Sequence, residues 1–317
     1  MDNIIETLKR SNNIVLLCHN NPDGDAVGSS LALYHALKSI GKNIDIVIEK
    51  LPQKFSFLKG SEAVKKIGDQ KYALGIILDT ANKPLVNNPC NILDTINTLI
   101  VIDHHQSNTK YGDINYVEPS SSCCELIYKL IDKMHIEVTE EIAKPIITGI
   151  LTDTGGFANS NVSENTFKVA AKLSKIINIS NIYRQVLHSI SKAAFILKKI
   201  AFSHLELLEN DQIAFSYITY KDIALSGAED SDTDILVNIG REIDTVEVSI
   251  FTRVYEHQIR VSLRSNDIDV NEIASYFGGG GHKKASGLTT TMVFDILKKE
   301  LLTKVKEKIN EWNISNK

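Results

Sequence analysis

Short apolar runs alternate with longer amphipathic ones in the first third of the chain: Ile14 to Cys18, Ala26 to Ile40, Ile44 to Ile48, Ala73 to Leu78 and Thr98 to Ile102. Strand-length runs separated by helix-length stretches predict βαβ units and a parallel sheet. From Ser120 to about Leu208 apolar residues recur at three- and four-residue spacing, in Glu125 to Ile136, Glu140 to Leu151, Phe167 to Ile177 and Ile182 to Leu208, which predicts helices. Strand-like alternation returns at Gln212 to Ile218, Val246 to Tyr255 and Gln258 to Arg264, the last two parted by a polar step that suits a hairpin. The fold class expected is therefore α/β. It comprises a parallel-sheet domain over 1–185 with helices on both faces, a connector over 186–210, and a smaller α+β domain over 211–317. The stretch from Asn178 to Asn210 holds no Pro and no Gly- or Ser-rich run, so the connector is expected to be helical.

Composition narrows the class. A length of 317 residues suits two domains at roughly 150 residues each, and 43% hydrophobic with 23% charged residues excludes disordered and collagen-like chains. Lys and Arg number 35 against 39 Asp and Glu, a net charge of -4, so any nucleic-acid contact must be local and no long duplex is expected as a partner. Cys18, Cys90, Cys123 and Cys124 form no CxxC pair and read as inert thiols. No stretch of about 18 uncharged apolar residues occurs, and Met1 to Glu6 lacks the features of a secretory signal. A cytoplasmic protein without a membrane span is expected.

Chemistry concentrates where strands are expected to end. His19-Asn20-Asn21-Pro22-Asp23-Gly24-Asp25 follows the first apolar run, Asp79 closes the run ending at Leu78, and Asp103-His104-His105 closes the run ending at Ile102. An Asp before a helix is often only an N-cap, and a single Asp after a strand is usually a turn residue. Three strand ends presenting His and Asp on one edge of a sheet, where α/β folds bind ligands, go beyond capping. Thr152-Asp153-Thr154-Gly155-Gly156-Phe157 adds a further carboxylate after a helical stretch. Asp23, Asp25, Asp79 and Asp153 gathered in one pocket would raise one another's pKa values unless cations were present. Carboxylate and imidazole ligands without thiolate favour Mn²⁺, with Mg²⁺, Zn²⁺ or Fe²⁺ as alternatives, and the ligand supply suffices for two ions. Two metals about 3.5–4 Å apart suit phosphoester or phosphoanhydride hydrolysis. Far downstream, Phe277-Gly278-Gly279-Gly280-Gly281-His282 and Arg264 carry a second signal. A glycine run can bring main-chain N–H groups up to an anion, and a guanidinium matches phosphate oxygens.

Taken in order, these residues resemble the DHH phosphoesterase superfamily. The match comprises the HxNPDGDAxGS-like segment at His19 to Ser29, Asp79, the Asp103-His104-His105 triplet, the TDTG segment at Asp153, and a DHHA1-type GGGHxxAxG segment at Gly279 to Gly287. Within it, length and two-domain plan are similar to the NrnA-type branch. That resemblance implies an oligoribonuclease acting on very short RNA that also removes the 3′-phosphate of 3′-phosphoadenosine-5′-phosphate (pAp). It implies two divalent ions, one held by His19, Asp23 and Asp79 and the other by Asp25, Asp79, His104 and Asp153, with Asp79 bridging. It further implies that His105 lies against the scissile phosphate and that Asp103 orients the histidines. Arg264, Gly279, Gly280, Gly281 and His282 would grip the distal nucleotide, so that the active site is a cleft between the domains. A homodimer is left open. A cyclic di-AMP or pApA phosphodiesterase is the close rival; a RecJ-like single-strand DNA exonuclease, an inorganic pyrophosphatase and a non-catalytic nucleotide-binding protein follow. Ser122-Cys123, Ala158 and Ser286 depart from residues common in the family, touch none of the implied metal ligands, and bear on substrate preference.

Overall fold

The computed structural model describes residues 1–66 and 71–315. It divides into two compact units, Met1–Ser189 and Ile190–Lys317.

The first unit runs α1 (Asp2–Arg10), β1 (Asn13–Leu17), α2 (Gly24–Ser39), β2 (Asn43–Val47), β3 (Val64–Lys65), β4 (Leu74–Leu78), β5 (Thr98–Asp103), β6 (Ile114–Val117), α3 (Cys123–Lys133), α4 (Glu140–Asp153), α5 (Glu164–Leu173) and α6 (Ile179–Tyr183). All six strands are parallel, in the order β3-β2-β1-β4-β5-β6. Ile14, Leu16, Ile76, Leu78, Ile100 and Ile102 face a core shared with the helices, while Val15, Leu17, Ile77 and Val101 face a second layer made with Val86 and Ile92 from 3₁₀ turns. Burial on both faces is why these strands read as unbroken apolar runs rather than alternating ones. Strand order reverses between β1 and β4, and in open α/β sheets the crevice at the carboxyl ends of such a pair is where ligands bind. The short β3 and β6 carry no comparable apolar run, and the sequence pattern did not announce them.

Helices α2 and α4 approach closely through glycine. A Cβ on Gly28 would meet the Pro145 carbonyl at 2.4 Å, and one on Gly149 would meet Cys124 Sγ at 2.3 Å and Asp25 Oδ1 at 2.6 Å. Replacing a helical glycine by alanine ordinarily stabilises by about 1 kcal/mol. Here Gly149→Ala is expected to cost on the order of 1–3 kcal/mol through overpacking, read as a lowered midpoint in thermal unfolding; a raised midpoint would contradict the close approach.

The second unit runs α7 (Lys192–Ser203), β7 (Glu206–Leu208), β8 (Ile213–Thr219), α8 (Tyr220–Ser226), β9 (Val248–Val254), β10 (Ile259–Ser265), α9 (Val270–Tyr276), β11 (Gly280–His282), β12 (Ala285–Thr290) and α10 (Phe294–Ser315). Its sheet, β11-β12-β10-β9-β8-β7, is antiparallel except for the parallel pair β8 and β9. Ile213, Ile250 and Leu263 pack on one face with Leu297 and Leu301 of α10. On the other, Leu197 and Ala201 of α7 pack with Ile218 and Phe251.

The helical stretch expected over Ile182 to Leu208 is not continuous. It breaks into α6, a π-helical turn at Arg184–His188, an extended Ser189, α7 and β7. Ser191 restarts the helix by accepting the Ala194 N–H on its side chain. The apolar stripe Ala194, Leu197, Ala201 then requires burial, and the second sheet supplies it.

Candidate metal centre

Each candidate side chain is placed by a local device. Residues Cys18 to Asn20 leave β1 pinned to the 85–87 segment. The Asn20 N–H donates to the Leu85 carbonyl at 2.9 Å, the Asn87 N–H to the Cys18 carbonyl at 2.7 Å, and His19 bridges Val86. Asp23 is the N-cap of α2, its Oδ1 accepting the N–H groups of Asp25 at 2.9 Å and Ala26 at 3.1 Å. Capping and ligand placement thus coincide in one carboxylate. Gly24 is the first residue of α2, where a Cβ would lie 2.4 Å from Thr152, so this glycine permits close packing rather than a left-handed turn. Asp79 follows β4 with φ of 51°, a left-handed conformation uncommon outside glycine, Asn and Asp. Asp103 ends β5 and Asp153 ends α4.

The eight side chains meet above the carboxyl ends of β1, β4 and β5. His19 Nε2 lies 4.0 Å from Asp23 Oδ1 and 3.8 Å from Asp79 Oδ2. His104 Nε2 lies 3.5 Å from Asp79 Oδ1, 3.9 Å from Asp25 Oδ2 and 3.3 Å from Asp153 Oδ2. Asp79 Oδ2 therefore faces His19, grouped with Asp23, while Asp79 Oδ1 faces His104, itself grouped with Asp25 and Asp153, and lies 3.6 Å from His105 Nδ1. Within the sets His19–Asp23–Asp79 and Asp25–His104–Asp153 the ligand atoms lie within 4.8 Å of one another. His105 Nδ1 is 2.7 Å from Asp103 Oδ1, while Asn108 Nδ2 donates to Asp103 Oδ2 at 2.6 Å. A cavity of about 300 Å³ opens over this cluster, lined by His19, Asn21, Asp23, Asp79, Thr80, His105 and Asp153 among others.

Electrostatics show an unbalanced site. Burial, with Asp79 next, pushes Asp25 up to about 7; burial takes Asp79 to about 6, and burial together with Asp25 takes Asp153 to about 7. For His104 burial acts downward, but Asp79, Asp25 and Asp153 outweigh it and raise the imidazole to about 10. His19 is lowered, chiefly by burial. Asp103 is buried as well, yet hydrogen bonds from His105 and Asn108 hold it below the usual carboxylate range, and donating to Asp103 in turn raises His105. Asp79 is only 3% exposed, and its Oδ1 has no hydrogen-bond partner. A buried carboxylate oxygen without a hydrogen bond, 3.5 Å from His104 Nε2 and 3.6 Å from His105 Nδ1 amid four further carboxylates, fits divalent cations, because cations would neutralise the carboxylate charge that the imidazoles leave over. The donors are oxygen and imidazole nitrogen, a set suited to Mn²⁺ and its harder neighbours.

Several contributors were not foreseen from the sequence. Asn108 bridges Asp103 and the Thr80 carbonyl, the latter at 3.1 Å, and the Tyr111 hydroxyl donates to the same carbonyl at 2.9 Å. The Asn161 amide donates to the carbonyls of Ser121 and Asp153. The only sequence trace is an amide side chain in a turn near a candidate ligand, which is too common a feature to single out.

The other five candidates gather on the second sheet. Register places Arg264 opposite Ala285, and Ala285 opposite His282, so Arg264, Ala285 and His282 share one face with Ser262 and Gly287. Burial lowers Arg264, with Arg241 and Arg253 adding to the effect. The glycine run is not an open anion loop along its whole length. The Gly278 and Gly279 N–H groups close the end of α9, at 3.0 Å to Ser275 and 2.8 Å to Ala274, while Gly280 and Gly281 lie in β11. A Cβ on Gly279 would lie 2.3 Å from the Gly287 carbonyl, so glycine is required there by strand approach.

The model of the DHH family N-terminal domain matches residues 13–150, and that of the DHHA1 domain matches 210–313. The chain is 34% identical to the bifunctional oligoribonuclease and PAP phosphatase NrnA of Thermus thermophilus, over 87% of this chain and 83% of that protein. It is 30% identical to the Bacillus subtilis protein of the same name, over 90% and 91%. The crystal structure of an exopolyphosphatase-related protein from Bacteroides fragilis superposes with a TM-score of 0.86 at 26% identity, covering 98% of this chain and 95% of that one. Two domain models in sequence order, with identity spread over nearly the full length, place the chain in the DHH family, among the proteins that join a DHH domain to a DHHA1 domain.

Proposed function

We propose that this protein is a dinuclear-metal phosphohydrolase of the cytoplasm that cleaves short oligoribonucleotides to mononucleotides and removes the 3′-phosphate of pAp. The observation that carries the reading is the pair of Asp79 oxygens facing two ligand clusters. The relatives named oligoribonuclease and PAP phosphatase support the substrate class. His19, Asp23 and Asp79 would hold one cation and Asp25, Asp79, His104 and Asp153 the other, with Mn²⁺ favoured by the donor set. Such cations, when bound, supply Lewis acidity toward the phosphate and a nucleophile at neutral pH.

The chain's own groups do the rest. His105 donates Nδ1–H to Asp103, which fixes its tautomer and leaves Nε2 to meet a phosphate or leaving-group oxygen in the cavity. The low pKa of Asp103 keeps it ionised, so it stabilises His105 in the protonated form that can give a proton to the departing oxygen. Thr80, Ala81 and Leu85 shape one wall of the cavity, whose volume of about 300 Å³ suits a terminal nucleotide rather than a duplex. In the second unit Arg264 and His282, with Gly280 leaving room on the same sheet face, would hold the distal nucleotide or its phosphate, while Gly279 and Gly281 serve the approach of the neighbouring strand.

A panel of two- to five-nucleotide RNA, pAp, cyclic di-AMP, pApA and pyrophosphate, assayed with Mn²⁺, tests the reading. The short RNAs and pAp are expected to turn over fastest, with loss of all rates on chelation. Fast pyrophosphate release with inert dinucleotides would overturn the assignment, and so would cyclic di-AMP as the preferred substrate.

A further inference from the structure

Within residues 120–124, backbone groups of Ser120, Cys123 and Cys124 contact His104 and Asp25 directly, and that of Ser121 reaches Asp153 through the Asn161 side chain. The Ser120 carbonyl lies 3.2 Å from His104 Nδ1. A carbonyl only accepts, so Nδ1 carries the proton and Nε2 is left as the ligand atom. The Cys123 N–H donates to Asp25 Oδ2 at 2.5 Å and the Cys124 N–H to Asp25 Oδ1 at 2.8 Å. Those donors are the first two residues of α3, and they favour the ionised carboxylate that a cation requires. Asn161 Nδ2 donates to the Ser121 carbonyl at 2.9 Å and to the Asp153 carbonyl at 3.2 Å, tying the last residue of α4 to the same segment.

The segment is itself anchored. Ser122 Oγ accepts the Glu125 N–H at 3.1 Å. The buried Glu125 Oε2 accepts the hydroxyls of Ser121 at 2.6 Å and Thr166 at 3.0 Å. The other cluster is positioned differently: His19 is held against the 85–87 segment, and Asp23 by the first turn of α2.

We propose that segment 120–124, with Asn161 as its clasp, is the positioning element for one cation site only, the one formed by Asp25, His104 and Asp153. The proposal rests on the two-cation reading above. Cys123, expected from the sequence to touch no metal ligand, thus does reach Asp25, through its backbone N–H.

Calorimetric titration of Mn²⁺ into the chelator-treated full-length chain tests it. The unmodified protein is expected to take up two equivalents; uptake of one or none would overturn the two-cation reading, and this proposal with it. Asn161→Ala removes an exposed side chain and is expected to weaken one of the two sites by about tenfold or more, while the other stays within a factor of about two. Cys123→Pro deletes one N–H donor at the first helical position, where proline is tolerated. Its loss of affinity at that one site is expected to exceed that of Cys123→Ala, which keeps the donor, by about tenfold. Thermal unfolding without cation checks that each variant folds. Where Cys123→Pro does not fold, Asn161→Ala alone decides. Two equivalents with unchanged affinity in Asn161→Ala, or equal weakening of both sites, would refute the role of the segment and leave the two-cation reading intact.

Discussion

Replacing Asp79 with Asn is expected to slow hydrolysis of every phosphoester substrate by on the order of 10³-fold or more while making the cation-free protein more stable. Both effects follow from one side chain. Asp79 presents an oxygen to each ligand cluster, so an amide there removes charge from both at once. Asparagine keeps the shape of the side chain and tolerates the left-handed backbone at this position, so the substitution tests charge and not strain. Without cations the buried carboxylate, raised to about 6, is ionised at pH 8 at a cost to the fold; its removal relieves on the order of 1–3 kcal/mol. Initial rates and thermal unfolding in chelator at about pH 8 measure the two effects together. Wild-type turnover would sink the shared-ligand role. A lower cation-free midpoint would show that the imidazoles beside Asp79 Oδ1 leave no carboxylate charge over.

The cation-free protein is also expected to lose stability steadily as pH rises. Asp25, Asp79 and Asp153 have folded-state pKa values raised to about 7, 6 and 7, so the fold binds protons that the unfolded chain has already released. Their unfavourable effect begins above the ordinary carboxylate value of 3.8 and is complete once pH passes about 7. His104, raised to about 10, contributes stability that is present in full below 6.5 and is lost as pH rises through its folded value. The signs agree, so the losses add. Asp103 and His19 have the opposite sign. The lowered pKa of Asp103 gives stability that is present above 3.8 and lost on acidification. The lowered pKa of His19 is a cost at low pH that is gone once pH passes 6.5, smaller than the losses from the three carboxylates and His104. Thermal midpoints in chelator are expected to fall from about pH 5 to about pH 9. The gain from saturating Mn²⁺ is expected to grow over the same range, because fewer protons must be displaced. A midpoint that rises with pH, or a gain independent of pH, would contradict the proton inventory of the site.

Residues at strand ends were legible because two signals coincide there: an apolar run stops, and a His or Asp follows it. His19, Asp79 and Asp103 follow β1, follow β4 and end β5 respectively. Asp153 carried a weaker signal, since a helix end explains an Asp equally well, and only its distance to His104 joins it to the others. The supporting layer was not legible. The Cys123 and Cys124 N–H groups reach Asp25 across 98 and 99 positions of sequence, and a backbone donor leaves no trace in residue identity. The glycine run was legible as a place of close approach. What approaches Gly279 is the neighbouring strand, which sequence alone does not distinguish from an anion. In the segment before β7, periodicity ran on through a π-helical turn and an extended serine, because apolar spacing continues where the backbone does not.

Both sheets terminate in very short strands: two residues in β3, four in β6, three in β7 and three in β11. A guest polypeptide seeking to extend either sheet would find only a few unsatisfied peptide groups to zip against, too few to outweigh the entropy of ordering it. Recruitment of other chains by strand addition is thereby discouraged, which protects a protein rich in β-branched segments from fibrillar self-association at high concentration.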